Sequence, residues 1–202
     1  MKKILIAVIP FFLMFFTVQT ADAQSLPESG DKTFEITTSP FSASPISFNE
    51  LRLRTFQSED RALRLRGLIE YARDRFNEDN YDTEFFISLA PGMEWHSAQH
   101  ERISLYYGAE LPISYRTTRE HRDNVTNKNV SGGEFFGLGL NAIAGVDLHF
   151  LNSFYAGVEV RYGIQYRSGL DAEVSGETLQ NDSSDFTFTN SAIPRFRLGV
   201  KF

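Results

Sequence analysis

The stretch Ile193-Pro194-Arg195-Phe196-Arg197-Leu198-Gly199-Val200-Lys201-Phe202 decides the fold. Phe196, Leu198, Val200 and Phe202 fall on one face at period two, and Arg195, Arg197, Gly199 and Lys201 fall on the other. A strand with one apolar and one strongly cationic face has two homes. A soluble sheet turns the apolar face to its core and the charges to water. A membrane barrel does the reverse, with Phe and Leu toward lipid and Arg toward a polar lumen.

The other end of the chain sets the compartment. Lys2 and Lys3 precede an apolar run from Ile4 to Val18, and Ala21-Asp22-Ala23 offers a small-residue cleavage site before Gln24. That is the pattern of a secretory signal peptide. The run is short for a membrane anchor, and no basic cluster follows it. The chain divides into a signal peptide (1–23), a polar periplasmic lead-in (24–32) and a barrel (33–202). It holds no cysteine, so neither disulfides nor a lipidated cysteine are available. Its formal charge is −6, and −7 without the leader, which argues against nucleic acid as a partner. No later stretch approaches the ~20 apolar residues of a spanning helix, so membrane crossing falls to strands of ~9–11 residues.

Period-two alternation places strands at Thr33–Thr38, Ile46–Phe56, Arg61–Arg73, Glu84–His96, Arg102–Tyr115, Glu134–Phe150 and Phe154–Arg167, before the terminal strand. A phase change predicts a bulge near Asn49-Glu50, and Pro91 is expected to interrupt its strand. Ser39–Pro45 and Ser97–His100 read as turns, and Asp74–Asp82, Arg116–Gly133 and Gly169–Asn190 as polar loops. The count is eight and even. Connections run mostly short then long, as in an all-β, eight-stranded antiparallel transmembrane up-and-down β-barrel.

Aromatics and charges point the same way. Phe56, Trp95, Phe150, Phe154 and Phe202 fall at strand ends on the short-turn side, and Tyr71, Phe85, Tyr115, Phe135, Phe136 and Tyr166 at the opposite ends. Two belts of rings at interface level are what a bilayer selects. Arg52, Arg54, Arg64, Arg66, Glu70, Glu94, Glu110, Asp147, Glu159, Arg161, Arg195 and Arg197 are then expected to share the lumen. Facing lipid at mid-bilayer, each Arg would cost ~2–4 kcal/mol. Facing one another, they can form Arg–carboxylate pairs that shut the lumen.

Together these features resemble the small outer-membrane barrels typified by OmpA and OmpX. Leu51-Arg52-Leu53-Arg54-Thr55-Phe56 followed by Ala62-Leu63-Arg64-Leu65 resembles barrels of this kind from Bacteroidota. The resemblance implies a bacterial outer-membrane location and contact with outer-membrane lipid and lipopolysaccharide. It also implies that Phe196, Leu198, Val200 and Phe202 serve as the signal that the barrel-assembly machinery reads. A barrel alone is expected, without the peptidoglycan-binding domain of longer relatives.

Catalytic and metal signals are thin. His96, His100 and His149 map to the short-turn rim without ligand spacing. Asp171, Glu173, Glu177, Asp182 and Asp185 lack the dense acidic spacing of a calcium loop. A lipid-modifying enzyme would need a Ser–His pair, and the Arg116–Gly133 loop offers only His121 with Ser131 and Glu120, tied by no motif. No cofactor, metal or catalytic residue is assigned. The sequence reads as a structural or binding barrel acting through its outer loops and any protein partner they have, with a plugged lumen and no general porin activity. A lipid-modifying enzyme, an accessory subunit of a larger outer-membrane complex and a small-solute channel are the alternatives.

Overall fold

A computed structural model describes residues 26–38, 50–100, 102–123 and 125–202, with backbone alone at 38, 98–100 and 189–194. The signal peptide read at 1–23, the turn at 39–45 and Asn49 of the expected bulge lie outside the described residues. The described residues form twelve strands: β1 (Lys32–Thr38), β2 (Glu50–Ser58), β3 (Arg61–Arg75), β4 (Tyr81–His100), β5 (Ile103–Glu110), β6 (Ile113–Arg122), β7 (Val125–Lys128), β8 (Phe135–His149), β9 (Phe154–Gly169), β10 (Ala172–Val174), β11 (Glu177–Leu179) and β12 (Ser184–Lys201).

Every pairing is antiparallel, and the pairings close on themselves. β1 pairs with β2, β2 with β3 and β3 with β4. β4 pairs with β5 and β6, both pair with β8, β8 pairs with β9, β9 with β12, and β12 returns to β1. Because β5 and β6 lie end to end as one stave, the ring has eight staves. Closure leaves no edge within the ring, the condition for backbone to lie in lipid. The staves are tilted. Following partners from Thr33 through Arg54, Arg64, Gly92, Glu110, Asn141 and Gly163 leads to Thr189, far along β12 from Lys201, where Thr33 itself pairs.

The fifth stave breaks at Leu111-Pro112, where Pro112 cannot donate to a ladder. Opposite the break stands Pro91, and β4 runs through it uninterrupted from Tyr81 to His100. The two prolines share one place where β4 changes partner from β6 to β5. Their carbonyls stay bonded, that of Pro91 to the Leu111 amide and that of Pro112 to the Gly139 amide, both at 2.9 Å.

Other boundaries also move from the sequence reading. Ser97–His100 is strand, with a register shift between His96 and Ala98. The loop read at Asp74–Asp82 contracts to a tip at 76–80, because β3 and β4 keep pairing out to Arg75 and Tyr81. The loop read at Arg116–Gly133 contains the end of β6 and the hairpin it makes with β7. The loop read at Gly169–Asn190 holds the β10–β11 hairpin and the first third of β12. A single cross-link in register, Glu173 opposite Lys128, joins β10 to β7. The end of β6 and β7 alternate without an apolar face, so hydrophobic periodicity cannot see them, whereas Phe186 and Phe188 give the start of β12 a short apolar face.

β4 is 20 residues long, about 65 Å at ~3.3 Å per residue, far beyond the ~9–11 residues that cross a bilayer. The excess is shared between the two ends: residues 81–84 reach past Phe85 at the long-loop end, which the short-turn rule places outside the cell, and residues 96–100 run on past Trp95 at the short-turn end. The lead-in docks at the short-turn end. Gly30 N donates to Phe56 O at 2.9 Å and Ser29 Oγ to Gln57 O at 2.9 Å.

Candidate functional site

Alternation decides which side chains enter the ring. On β2, Glu50, Arg52, Arg54 and Phe56 are buried while Leu51 and Leu53 are exposed. On β3, Arg64 and Arg66 are buried while Leu63 and Leu65 are exposed. On β12, Arg197 is buried while Phe196 and Leu198 are exposed. Among the described residues most of the largest fully buried side chains are charged, the inverse of a soluble core.

Inside the ring the charges meet as pairs. Arg52 reaches Glu35 at 2.9 Å and Glu159 at 2.8 Å. Arg54 reaches Glu35 at 2.6 Å, Glu94 at 3.0 Å and Asp147 at 2.9 Å. Arg64 holds Glu94 at 2.5 Å, Glu110 at 2.5 Å and Glu159 at 3.0 Å. Arg66 donates to Glu110 at 3.0 Å. Arg161 ties Glu50 at 2.5 Å and Glu159 at 2.7 Å, and Arg197 ties Glu35 at 2.8 Å and Asp147 at 2.5 Å. Arg195 reaches Glu50 at 2.9 Å but keeps its side chain 31% exposed.

Of the twelve residues read for the lumen, Glu70 alone stands apart. It shares the inward parity of Arg64 and Arg66 on β3 but lies farther toward the outer end, where it is exposed. The alternation singled out neither Glu35 nor Glu50, yet both anchor the network. The signal was present: Glu35 alternates with Phe34 and Ile36, and Glu50 shares the parity of Arg52 and Arg54.

Below the charges lies a floor of rings. Tyr106 donates to Glu159 at 2.8 Å and Tyr155 to Glu35 at 2.8 Å. The Arg54 guanidinium lies within 5.1 Å of the Tyr155 ring centre and 5.5 Å of the Phe56 ring centre. His96 meets Ser104 Oγ at 2.6 Å and packs on Phe56, while His149 packs on Tyr155. These histidines therefore belong to the packed floor. His100 has no described side chain. Gly199 and Gly145 make the floor fit, since a Cβ at Gly199 would stand 2.1 Å from Tyr155 Cζ and one at Gly145 would stand 2.5 Å from Tyr106 Cζ.

Two aromatics leave the expected belts. Phe56 continues the inward series of Arg52 and Arg54 and is 1% exposed. Phe135 faces inward with the parity of Asp147, under the Arg167 guanidinium at 4.5 Å and beside Phe86. Among the lipid-facing rings are Trp95 stacked on Tyr107 and Phe202 near the short-turn end, with Tyr71, Phe85, Tyr115, Phe136 and Tyr166 toward the other end. Phe186, opposite Tyr166, and Phe188 extend that outer belt.

In the outer extension the candidate catalytic group does not assemble. His121 stacks on Tyr81 and bonds Thr126 at 2.9 Å on the outward face. Ser131 lies near Thr118 and Glu134 on the inward face. Burial raises the pKa of Glu134, but hydrogen bonds from the Thr118 hydroxyl and from backbone amides hold it below the usual carboxylate range. The acidic residues of 171–185 are dispersed: Glu173 pairs with Lys128 at 2.6 Å and Asp171 accepts from the Asn181 amide. Among the described residues no group of three metal-ligating side chains forms.

Residues 75–202 match the model of the OmpA-OmpF-like porin family. The crystal structure of Ail, the attachment invasion locus protein of Yersinia pestis, is similar at 12% identity, covering 86% of this chain and 99% of that one with a TM-score of 0.41. No curated protein matches the sequence. A closed ring of lipid-facing strands around buried charges, matched by the family model over its last 128 residues, places this chain in the OmpA-OmpF-like porin family as a small β-barrel of the bacterial outer membrane.

Proposed function

We propose that the barrel is a closed one, a membrane-anchored scaffold that works through its extracellular extension and does not act as a general porin. One observation carries this: ion pairs cross the whole width of the ring. β3 and β9 stand four staves apart, as do β2 and β8, so Arg64–Glu159 and Arg54–Asp147 run along diameters. An eight-stranded barrel is only about wide enough for its own side chains, and here large Arg, Tyr and Phe side chains fill it.

The outer end supplies the working surface. β6, β7, β10 and β11 continue the sheet beyond the membrane, and Lys128–Glu173 ties the two hairpins into one unit. A rigid projecting sheet suits binding at a surface better than a mobile loop does. The outward row Phe196, Leu198, Val200 and Phe202 is proposed as the segment read during assembly. Its support is that the row lies on the lipid side of the last strand, clear of the network.

Proteoliposome swelling tests the closed lumen. Vesicles carrying the folded protein should exclude arabinose as protein-free vesicles do. Swelling at a porin-like rate would reject the proposal.

A further inference from the structure

The wall formed by β3, β4 and β6 beyond the lipid-facing aromatics has two unlike faces. In register, Tyr71 stands beside Phe85, and one step outward Arg73, Thr83 and Arg119 form a row across the three strands. Tyr81 and His121 follow in the next row. On this outward face the Arg73 guanidinium lies 4.0 Å from the Tyr81 ring centre, and Tyr81 stacks on His121 at 4.9 Å. Together they frame an open groove of about 470 Å³ whose lower edge is Tyr71 and Phe85.

The inward face of the same rows is acidic. Asp74, Asp82 and Glu120 stand side by side across the three strands. The arginines there are neutralised, Arg122 by Asp82 at 2.6 Å and Arg116 by Glu84 at 3.4 Å. Outward, neither Arg73 nor Arg119 has an ion-pair partner among the described residues.

We propose that this groove binds the phosphorylated headgroup of an outer-leaflet lipid. Tyr71 and Phe85 belong to the outer aromatic belt, so they mark the level where acyl chains give way to headgroups. Arg73 and Arg119 stand one step above that level and face sideways into the leaflet. Their planar guanidiniums can take phosphate oxygens in pairs. The rings below supply an apolar seat for the start of the acyl chains. The carboxylates behind the wall keep an anion from being drawn into the barrel mouth, so the charge pattern favours a ligand arriving from the bilayer.

The test uses the full chain refolded in dodecyl maltoside and titrated with bisphosphorylated lipid A, with bound lipid read by native mass spectrometry. One Arg near an anionic surface is worth roughly fivefold in affinity, so R73Q/R119Q should weaken retention about thirtyfold. The inward pair R116Q/R122Q should retain lipid like the unaltered chain. Dephosphorylated lipid A should bind the unaltered chain as weakly as lipid A binds R73Q/R119Q. Equal retention by R73Q/R119Q, equal retention of dephosphorylated lipid, or full competition by millimolar inorganic phosphate would each overturn the assignment. If R73Q/R119Q fails to fold, as judged by heat-modified gel mobility, a salt titration of the unaltered chain decides. Retention falling steeply with salt supports the site, and salt-independent retention overturns it. Neither outcome bears on lumen closure, because both arginines stand outside the ring's interior.

Discussion

Arg64 and Glu159 approach from opposite walls of the ring and meet at 3.0 Å, each side chain fully buried. Glu159 also takes Arg52, Arg161 and the Tyr106 hydroxyl. It is the junction of the network, with carboxylate oxygens shared among groups on β2, β3, β5 and β9.

Glu159→Leu should therefore be more damaging than loss of any single arginine. It takes one carboxylate from Arg52, Arg64 and Arg161 at once, leaving Glu35, Glu94, Glu110 and Glu50 to hold them, and breaking one buried pair already costs about 3–5 kcal/mol. Urea unfolding in detergent, followed by Trp95 fluorescence and heat-modified gel mobility, should show a clearly lower midpoint. Arg161→Leu should lower it less. An unchanged midpoint for Glu159→Leu would remove the network from the account of stability.

One residue along the same strand, the sign of an arginine reverses. Leu65 points outward, 43% exposed, between Leu53 and Pro91. Leu65→Arg should cost about 2–4 kcal/mol near mid-bilayer, although Arg64 and Arg66 beside it are stabilising. Folding titrations in lipid vesicles measure this directly, and a neutral result would mean that this face does not meet hydrocarbon.

Gly199 carries the ring of Tyr155 where a Cβ would stand. Gly199→Val should displace Tyr155, break its 2.8 Å bond to Glu35 and abolish the compact gel form. Tyr155→Phe keeps the ring and should cost only about 1 kcal/mol. Equal effects from the two would show that the hydroxyl, not the ring position, matters.

Glu134 links the β7–β8 connection to Thr118 of β6. Its carboxyl is depressed in the folded chain, so its contribution is present above the unfolded value of about 4.3 and fades as pH falls through the lower folded value. An NMR titration of the Glu134 carboxyl should give a midpoint below 4.3, and Thr118→Val should raise it. A midpoint at or above the unfolded value would refute the hydrogen-bonded geometry.

The transmembrane half of the fold was legible because lipid demands strict alternation. Leu51, Leu53, Leu63 and Leu65 against Arg52, Arg54, Arg64 and Arg66 leave one consistent way to orient two strands. The outer half was not. Thr117–Arg122 and Val125–Lys128 are polar on both faces, so their pairing rests on backbone hydrogen bonds that the residue pattern does not encode. Phe56 and Phe135 stand at strand ends as the belt rings do, but their parity turns them into the ring. The pairing of Arg64 with Glu159 lay out of reach for a different reason: it joins strands four staves apart, and nothing local records which carboxylate an arginine will meet.

Planar-bilayer conductance of the refolded chain decides whether the lumen is closed. A lumen crossed by Arg64–Glu159 and Arg54–Asp147 should give no stable steps at moderate voltage, from protein shown to be folded by its gel mobility. Reproducible, long-lived steps from that material would mean that an aqueous path runs past the ion pairs, and the barrel would then be a channel.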